Sequence, residues 1–259
     1  SIGKIYSITS KLDQQEPEEV LFDAVEMMKE LMHTEDVAIY NIVNEDYARM
    51  FSASSVKSRS LGNSIRYREM EEVYDELKEQ KVYINKSMDE RYPLMANAIF
   101  EGGQMKMLIF LWGLGWERMT LGQANYLVVV SYLIQNAVLR AQRYIQALEE
   151  NRYSEEGSRI LREDAFKPLV KAYMDAEAKD LAECVFLKID ADPEQYRQID
   201  QLMAKKLRDS DYLGILPDGK LYALLANTTK ENAGFVQERF EQNGYSTEIV
   251  EKIAVCLEE

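Results

Sequence analysis

The chain has 259 residues, enough for two domains that each bury a core, and its apolar share of 46% is that of a globular protein rather than a disordered one. A net charge of −14 repels a phosphate backbone and argues against nucleic acid as a partner, whereas a small anion needs only a local basic pocket. One histidine, His33, leaves almost no material for histidine metal sites or Ser-His-Asp hydrolysis, and Cys184 and Cys256 read as buried free thiols.

The chain begins with Ser1 in a helix-like pattern, which suggests a piece of a longer protein; residues 1–13 read as a helix or linker. Apolar positions at Val20, Leu21, Ala24, Val25, Met28 and Leu31 predict a helix over residues 14–32, with Pro17 suited to its first turn. Residues 37–43 (VAIYNIV) read as a strand, 44–46 as a turn and 47–51 as the returning strand. A helix is expected over 68–79. Residues 94–100 and 105–112 read as two strands joined at Gly102-Gly103. Thr120 can cap a long helix reaching residue 150, with Tyr126, Val129, Val130, Leu133, Ile134 and Ala137 as its apolar face. The longest apolar stretch, 126–139, is too short to span a bilayer.

A polar connector at 149–157 marks the expected domain boundary. Beyond it, Phe166, Leu169, Val170 and Tyr173 predict a helix over 162–177. A strand follows at 184–189, then a helix over 193–207. A hairpin of 211–216 and 220–225 closes on Pro217-Asp218-Gly219. After it come a helix over 230–242, ended by Asn243-Gly244, and candidate strands at 247–250 and 253–257. The fold class is α+β in two domains.

The order of elements over 14–150 resembles a GAF domain, an antiparallel sheet with flanking helices. Lacking a cysteine and with His33 at a helix-to-strand turn, it reads as a scaffold or dimerising GAF domain rather than a haem or bilin sensor. Trp112, Trp116 and the Met28, Met32, Met95, Met105 and Met107 set read as core or partner contacts.

Residues 151–259 resemble a diguanylate cyclase (GGDEF) domain, a ferredoxin-like palm, with its catalytic turn lost. Five residues separate Asp211 from Pro217-Asp218-Gly219-Lys220-Leu221, where the family carries its signature turn. Cyclases hold divalent metal with carboxylates, because Mg²⁺ needs hard oxygen ligands. Here the family's first metal-binding Asp falls on Lys188, its guanine-reading Asn near Tyr196, and its two acidic turn residues on Gly219 and Lys220. Two lysines in place of carboxylates repel a metal. The resemblance therefore implies no catalytic and no metal-ligating residues, although Asp190, Asp192 and Asp218 stay close in sequence.

The family's product-binding inhibitory site, an R-x-x-D pair, survives as Arg208 and Asp211, with Arg239 at the place of a second arginine. An arginine fork matches guanine N7 and O6 or a phosphodiester, and an aspartate accepts from the guanine N–H groups. Arg197 and Asp200 also fit R-x-x-D, but lie three apart on an expected helix and read as an exposed ion pair.

A GAF domain followed by a degenerate GGDEF domain resembles the PelD-type cyclic di-GMP receptors of the Pel exopolysaccharide system. That resemblance implies a non-catalytic receptor binding cyclic di-GMP, without a cofactor, as a cytoplasmic domain of an inner-membrane protein. Residues 1–13 would then be membrane-proximal. The implied partner is a membrane complex that makes and exports the polymer, and the long helices flanking the GAF segment suggest a homodimer. Two readings compete: a ligand-free scaffold, and an active cyclase using Asp190, Asp192 or Asp218.

Overall fold

The computed structural model describes residues 2–150 (backbone alone at 149 and 150), 158–203, 207 and 211–258. The chain forms two compact units, Ser1–Gln142 and Arg143–Glu259. Of the expected connector, 151–157 lie outside the described residues.

The first unit runs α1 (Ile2–Thr9), α2 (Pro17–Met32), β1 (Val37–Ile42), β2 (Ala48–Ala53), β3 (Ser64–Ile65), α3 (Glu71–Lys78), β4 (Tyr83–Ile84), β5 (Met95–Glu101), β6 (Gln104–Leu111) and most of α4 (Leu121–Glu150), whose last turns belong to the second unit. Its six-stranded antiparallel sheet has the order β3-β2-β1-β6-β5-β4, a GAF-like arrangement. Successive strand residues face opposite sides. On one face Ala38, Tyr40, Met50, Leu108 and Phe110 meet Val73 and Leu77 of α3. On the other, α2 packs on β1 and β2, with the Phe22 and Phe51 rings 4.9 Å apart. All six apolar positions read for α2 are buried.

His33 ends α2 in the left-handed region at φ 55°, as a capping residue. Gly102 and Gly103, at φ 59° and 77°, make the two-residue turn between β5 and β6. The Thr120 hydroxyl accepts from the Gln123 amide at 3.1 Å and caps α4. This helix returns antiparallel to α2. The Gln123 side chain donates to the Met32 carbonyl at 3.0 Å, and the Arg140 guanidinium reaches the Asp13 carbonyl at 3.4 Å.

One part of the sequence reading of α4 needs correction. Leu127, Val130, Ile134, Ala137 and Val138 are buried, but Val129 lies on the exposed side. Residues 126–130 are apolar without a break, so periodicity alone cannot choose which of them meets the sheet.

The second unit runs β7 (Ile160–Leu161), α5 (Glu163–Ala178), β8 (Cys184–Asp190), α6 (Tyr196–Met203), β9 (Asp211–Ile215), β10 (Leu221–Ala226), α7 (Lys230–Gln242), β11 (Ser246–Ile249) and α8 (Ile253–Cys256). The order β11-β8-β10-β9-β7 is antiparallel except for β7, which runs parallel to β9. From β8 to β11 the βαββαβ succession is that of the ferredoxin-like palm of GGDEF domains. Ile199 and Met203 of α6 and Ala233 and Phe240 of α7 cover one face with Leu187, Leu213, Ala223 and Leu225. On the opposite face α5 packs on β9, with Phe166, Leu169, Val170 and Tyr173 all buried.

Two local departures follow from packing. Residues 253–257, read as a strand, begin with the one-turn helix α8. Ile253 is buried while Ala254 and Val255 are exposed, a helical rather than an alternating pattern. Strand β7, missed in the sequence, has only two residues and exists through its pairing of Ile160 with Leu213 and Leu161 with Gly214.

Gly214 itself is set by packing. A Cβ built there would lie 2.0 Å from Cγ of Phe166, so only glycine lets this ring rest on the sheet. Gly214→Ala should lower stability by about 1–3 kcal/mol, read as a lower urea midpoint. The loss should shrink in a Phe166→Val background, because the clashing ring is gone.

Candidate functional site

The β9–β10 hairpin organises the site. Its loop follows from the residues: Pro217 presets the first turn position and Gly219 takes φ 74°. The Gly219 amide donates to the Leu216 carbonyl at 2.8 Å, and the Leu216 amide to the Lys220 carbonyl at 3.2 Å. Asp218 sits at the tip with its carboxylate turned back on the chain. Oδ1 accepts from the Lys220 amide at 2.9 Å, and Oδ2 accepts from the Tyr222 hydroxyl at 2.6 Å. The Lys188 ammonium stands 4.0 Å from Oδ2.

Lys188 thus stands at ion-pair distance from the acidic residue of the turn. Tyr196 donates from its hydroxyl to the Gly219 carbonyl at 3.1 Å and ties α6 to the turn. Burial, the Asp218 hydrogen bond and the Cys256 thiol push the Tyr222 phenol well above its usual range, so it stays a proton donor. Asp190 is exposed at the end of β8, and the Asp192 amide donates to the Gln195 side chain at 2.9 Å. Among the described residues no group of three or more His, Cys, Asp or Glu could share a metal.

The aspartate of the first R-x-x-D pair lies at the other end of β9. Asp211 is the first residue of that strand, paired with Leu225 of β10. It is therefore on the sheet face that α6 and α7 cover, and it is 2% exposed. Arg239 lies on α7 and is exposed. Arg208 lies outside the described residues. Asp211 and Arg239 share one side of the sheet, on different elements.

The second R-x-x-D match is not an exposed ion pair. Asp200 is 8% exposed, and both of its carboxylate oxygens accept from the Arg159 amide, at 3.0 and 3.1 Å. It anchors the start of β7 to α6. Sequence spacing missed this role because its partner is a backbone amide 41 residues away.

The GAF-like unit is tightly packed beneath α3. Between α3 and the sheet, Tyr67, Met70, Val73, Tyr74 and Leu77 close on Leu108 and Phe110, leaving no space wide enough for water. Trp112 is buried, whereas Trp116 is exposed. Met28, Met32, Met95 and Met107 are buried in the core, and Met105 is partly buried. No described helix is long and apolar enough to cross a membrane. The two thiols are free but unequal. Burial and the Glu177 carboxylate push Cys184 above the usual thiol range, while Cys256 is half-buried rather than buried as read from the sequence.

No protein-family model matches the chain, and no curated protein matches it. Among solved structures, it is similar to PelD 156–455 from Pseudomonas aeruginosa PA14 in complex with c-di-GMP. The TM-score is 0.41 and the identity 11%, over 96% of this chain and 88% of that one. PelD from residue 158 to the C-terminus, of Pseudomonas aeruginosa PAO1, matches at TM-score 0.34 and 10% identity, over 96% and 89% of the two chains. The apo form of PelD 156–455 matches at TM-score 0.33 and 12% identity, over 96% and 88%. Identities this low leave the site to this chain's own residues.

Two outcomes are expected. Asp200→Ala should cost about 1.5–3 kcal/mol in urea unfolding, since a buried charged acceptor is lost, and Asp200→Asn should cost less. A thiol reagent at mildly alkaline pH should label Cys256 in the native chain and reach Cys184 only on unfolding.

Proposed function

We propose that this chain is a non-catalytic receptor for cyclic di-GMP, holding the dinucleotide at Arg208, Asp211 and Arg239. The observation that supports this reading is the hairpin, whose two ends differ in chemistry. At the turn, Asp218 is engaged by Lys188, Tyr222 and the Lys220 amide, leaving a cyclase-type metal site without its carboxylates. At the start of β9 stands Asp211, the aspartate of the R-x-x-D pair, with an exposed arginine, Arg239, on α7.

An intercalated dinucleotide pair would meet arginine forks at phosphate and at guanine N7 and O6, with the Asp211 carboxylate accepting from guanine N–H. A buried carboxylate must be hydrogen-bonded, so binding would exchange the present partners of Asp211 for the guanine edge. In the cell, the bound chain would activate Pel-like exopolysaccharide synthesis and export at an inner-membrane complex. Activation requires bound and free states that differ in arrangement or partner affinity. A homodimer is part of this proposal.

Calorimetric titration with cyclic di-GMP tests the site. Binding of about two dinucleotides per chain is expected. Losing one partner of a buried charged contact costs about 2–5 kcal/mol, so Arg208→Ala should bind at least about thirtyfold more weakly. Unchanged affinity in that variant would sink the site assignment, and no heat with either protein would favour an inert scaffold. GTP with Mg²⁺ should give no turnover; product formation would point instead to a cyclase with displaced carboxylates.

A further inference from the structure

The two halves of the R-x-x-D pair hang from different elements. Leu207, the sequence neighbour of Arg208, donates its amide to the Met203 carbonyl at 3.1 Å and is buried in the core beneath α6 and α7, so it belongs to the end of α6. Asp211 is the first residue of β9. The spacing between α6 and β9 therefore governs how far apart the pair stands.

Asp200 controls that spacing. It lies on α6 three residues before Met203, and both of its carboxylate oxygens accept from the Arg159 amide. Arg159 leads directly into β7, whose Ile160 and Leu161 pair with Leu213 and Gly214 of β9. The path from α6 to β9 thus runs through one carboxylate–amide contact and two strand pairs. A buried carboxylate stripped of its hydrogen bonds is costly, which keeps this clamp closed in the free chain. The Tyr196 hydroxyl, on the Gly219 carbonyl, holds α6 at a second point one turn away.

We propose that Asp200 is a positioning residue for the dinucleotide site, and that its clamp on Arg159 makes the site responsive to the chain that precedes it. The clamp holds α6 and β9 at the spacing at which Arg208 and Asp211 reach one ligand. It rests on the receptor reading above and adds a regulation to it. The clamped segment, 158–161, directly follows the polar connector 149–157, so whatever draws on the connector draws on the clamp. Opening the clamp loosens the pair and weakens binding. By reciprocity, a dinucleotide bridging α6 and β9 holds the segment in place. Clamped and open chains are the two states of different affinity that regulation requires.

Calorimetry with cyclic di-GMP and hydrogen exchange test the clamp. Asp200→Asn keeps the side-chain shape and removes the charge. If it leaves about one chain in ten clamped, binding weakens about tenfold, with circular dichroism showing an unchanged fold. Cys184→Ala is the control for stability alone. It removes a buried thiol on β8, three strands from β7, and should leave affinity unchanged. In the parent chain, cyclic di-GMP should slow exchange at the amides of 159–161 more than at β11, the opposite edge of the same sheet. This measurement needs no variant, so it decides the matter even where Asp200→Asn fails to fold. Parent-like affinity in Asp200→Asn, an equal loss in Cys184→Ala, or protection at 159–161 no greater than at β11 would overturn the clamp and leave the receptor reading standing. A parent chain that binds no dinucleotide would overturn both.

Discussion

A single carboxylate ties together the β9–β10 turn of the second unit. Asp218 is the acidic residue of that turn, and its contacts are internal. Lys188 reaches it from β8, Tyr222 from the strand that follows, and the Lys220 amide from the turn itself. An ammonium and two hydrogen-bond donors satisfy the carboxylate where it stands. Tyr196 adds a link from α6 to the Gly219 carbonyl, so the turn is held from both sides. With the turn fixed, the register of β9 against β10 is fixed, and with it the place of Asp211 opposite Leu225.

The same unit uses buried polar groups as fasteners. Asp200 holds the Arg159 amide and so sets β7 beside β9. Gly214 admits the Phe166 ring to the opposite face of β9. Strand β9 is therefore located by a parallel neighbour, a hairpin partner and an aromatic ring at once. Asp211, the residue proposed to meet guanine, is carried at its first position and inherits that definition, which is what site geometry requires of a rigid element.

In the first unit, packing fills the space between α3 and the sheet. Aromatic, methionine and leucine side chains close on one another there, leaving no room for water. The outer side of α4 is apolar and exposed over its first turns, at Leu121, Val128, Val129 and Tyr132.

The sequence by itself determined the kinds of element and their order, because α2, α5 and α7 carry clear helical periods and the hairpin carries Pro-Asp-Gly in register with its strands. It also puts lysines at 188 and 220 beside the Asp218 turn, which is a matter of residue identity. Only the tertiary structure decided where polar side chains find partners. Asp200 looked like half of an i,i+3 pair and proved to bind an amide far away in sequence. Val129 looked buried because it stands in an unbroken apolar run, and the sheet chose the other face. Residues 253–257 looked like a strand because a short apolar run has no period to read, and packing wound its start into a helical turn. Local spacing fixes what neighbours along one element can do, whereas burial and pairing depend on which distant surface arrives, and that is a property of the folded chain alone.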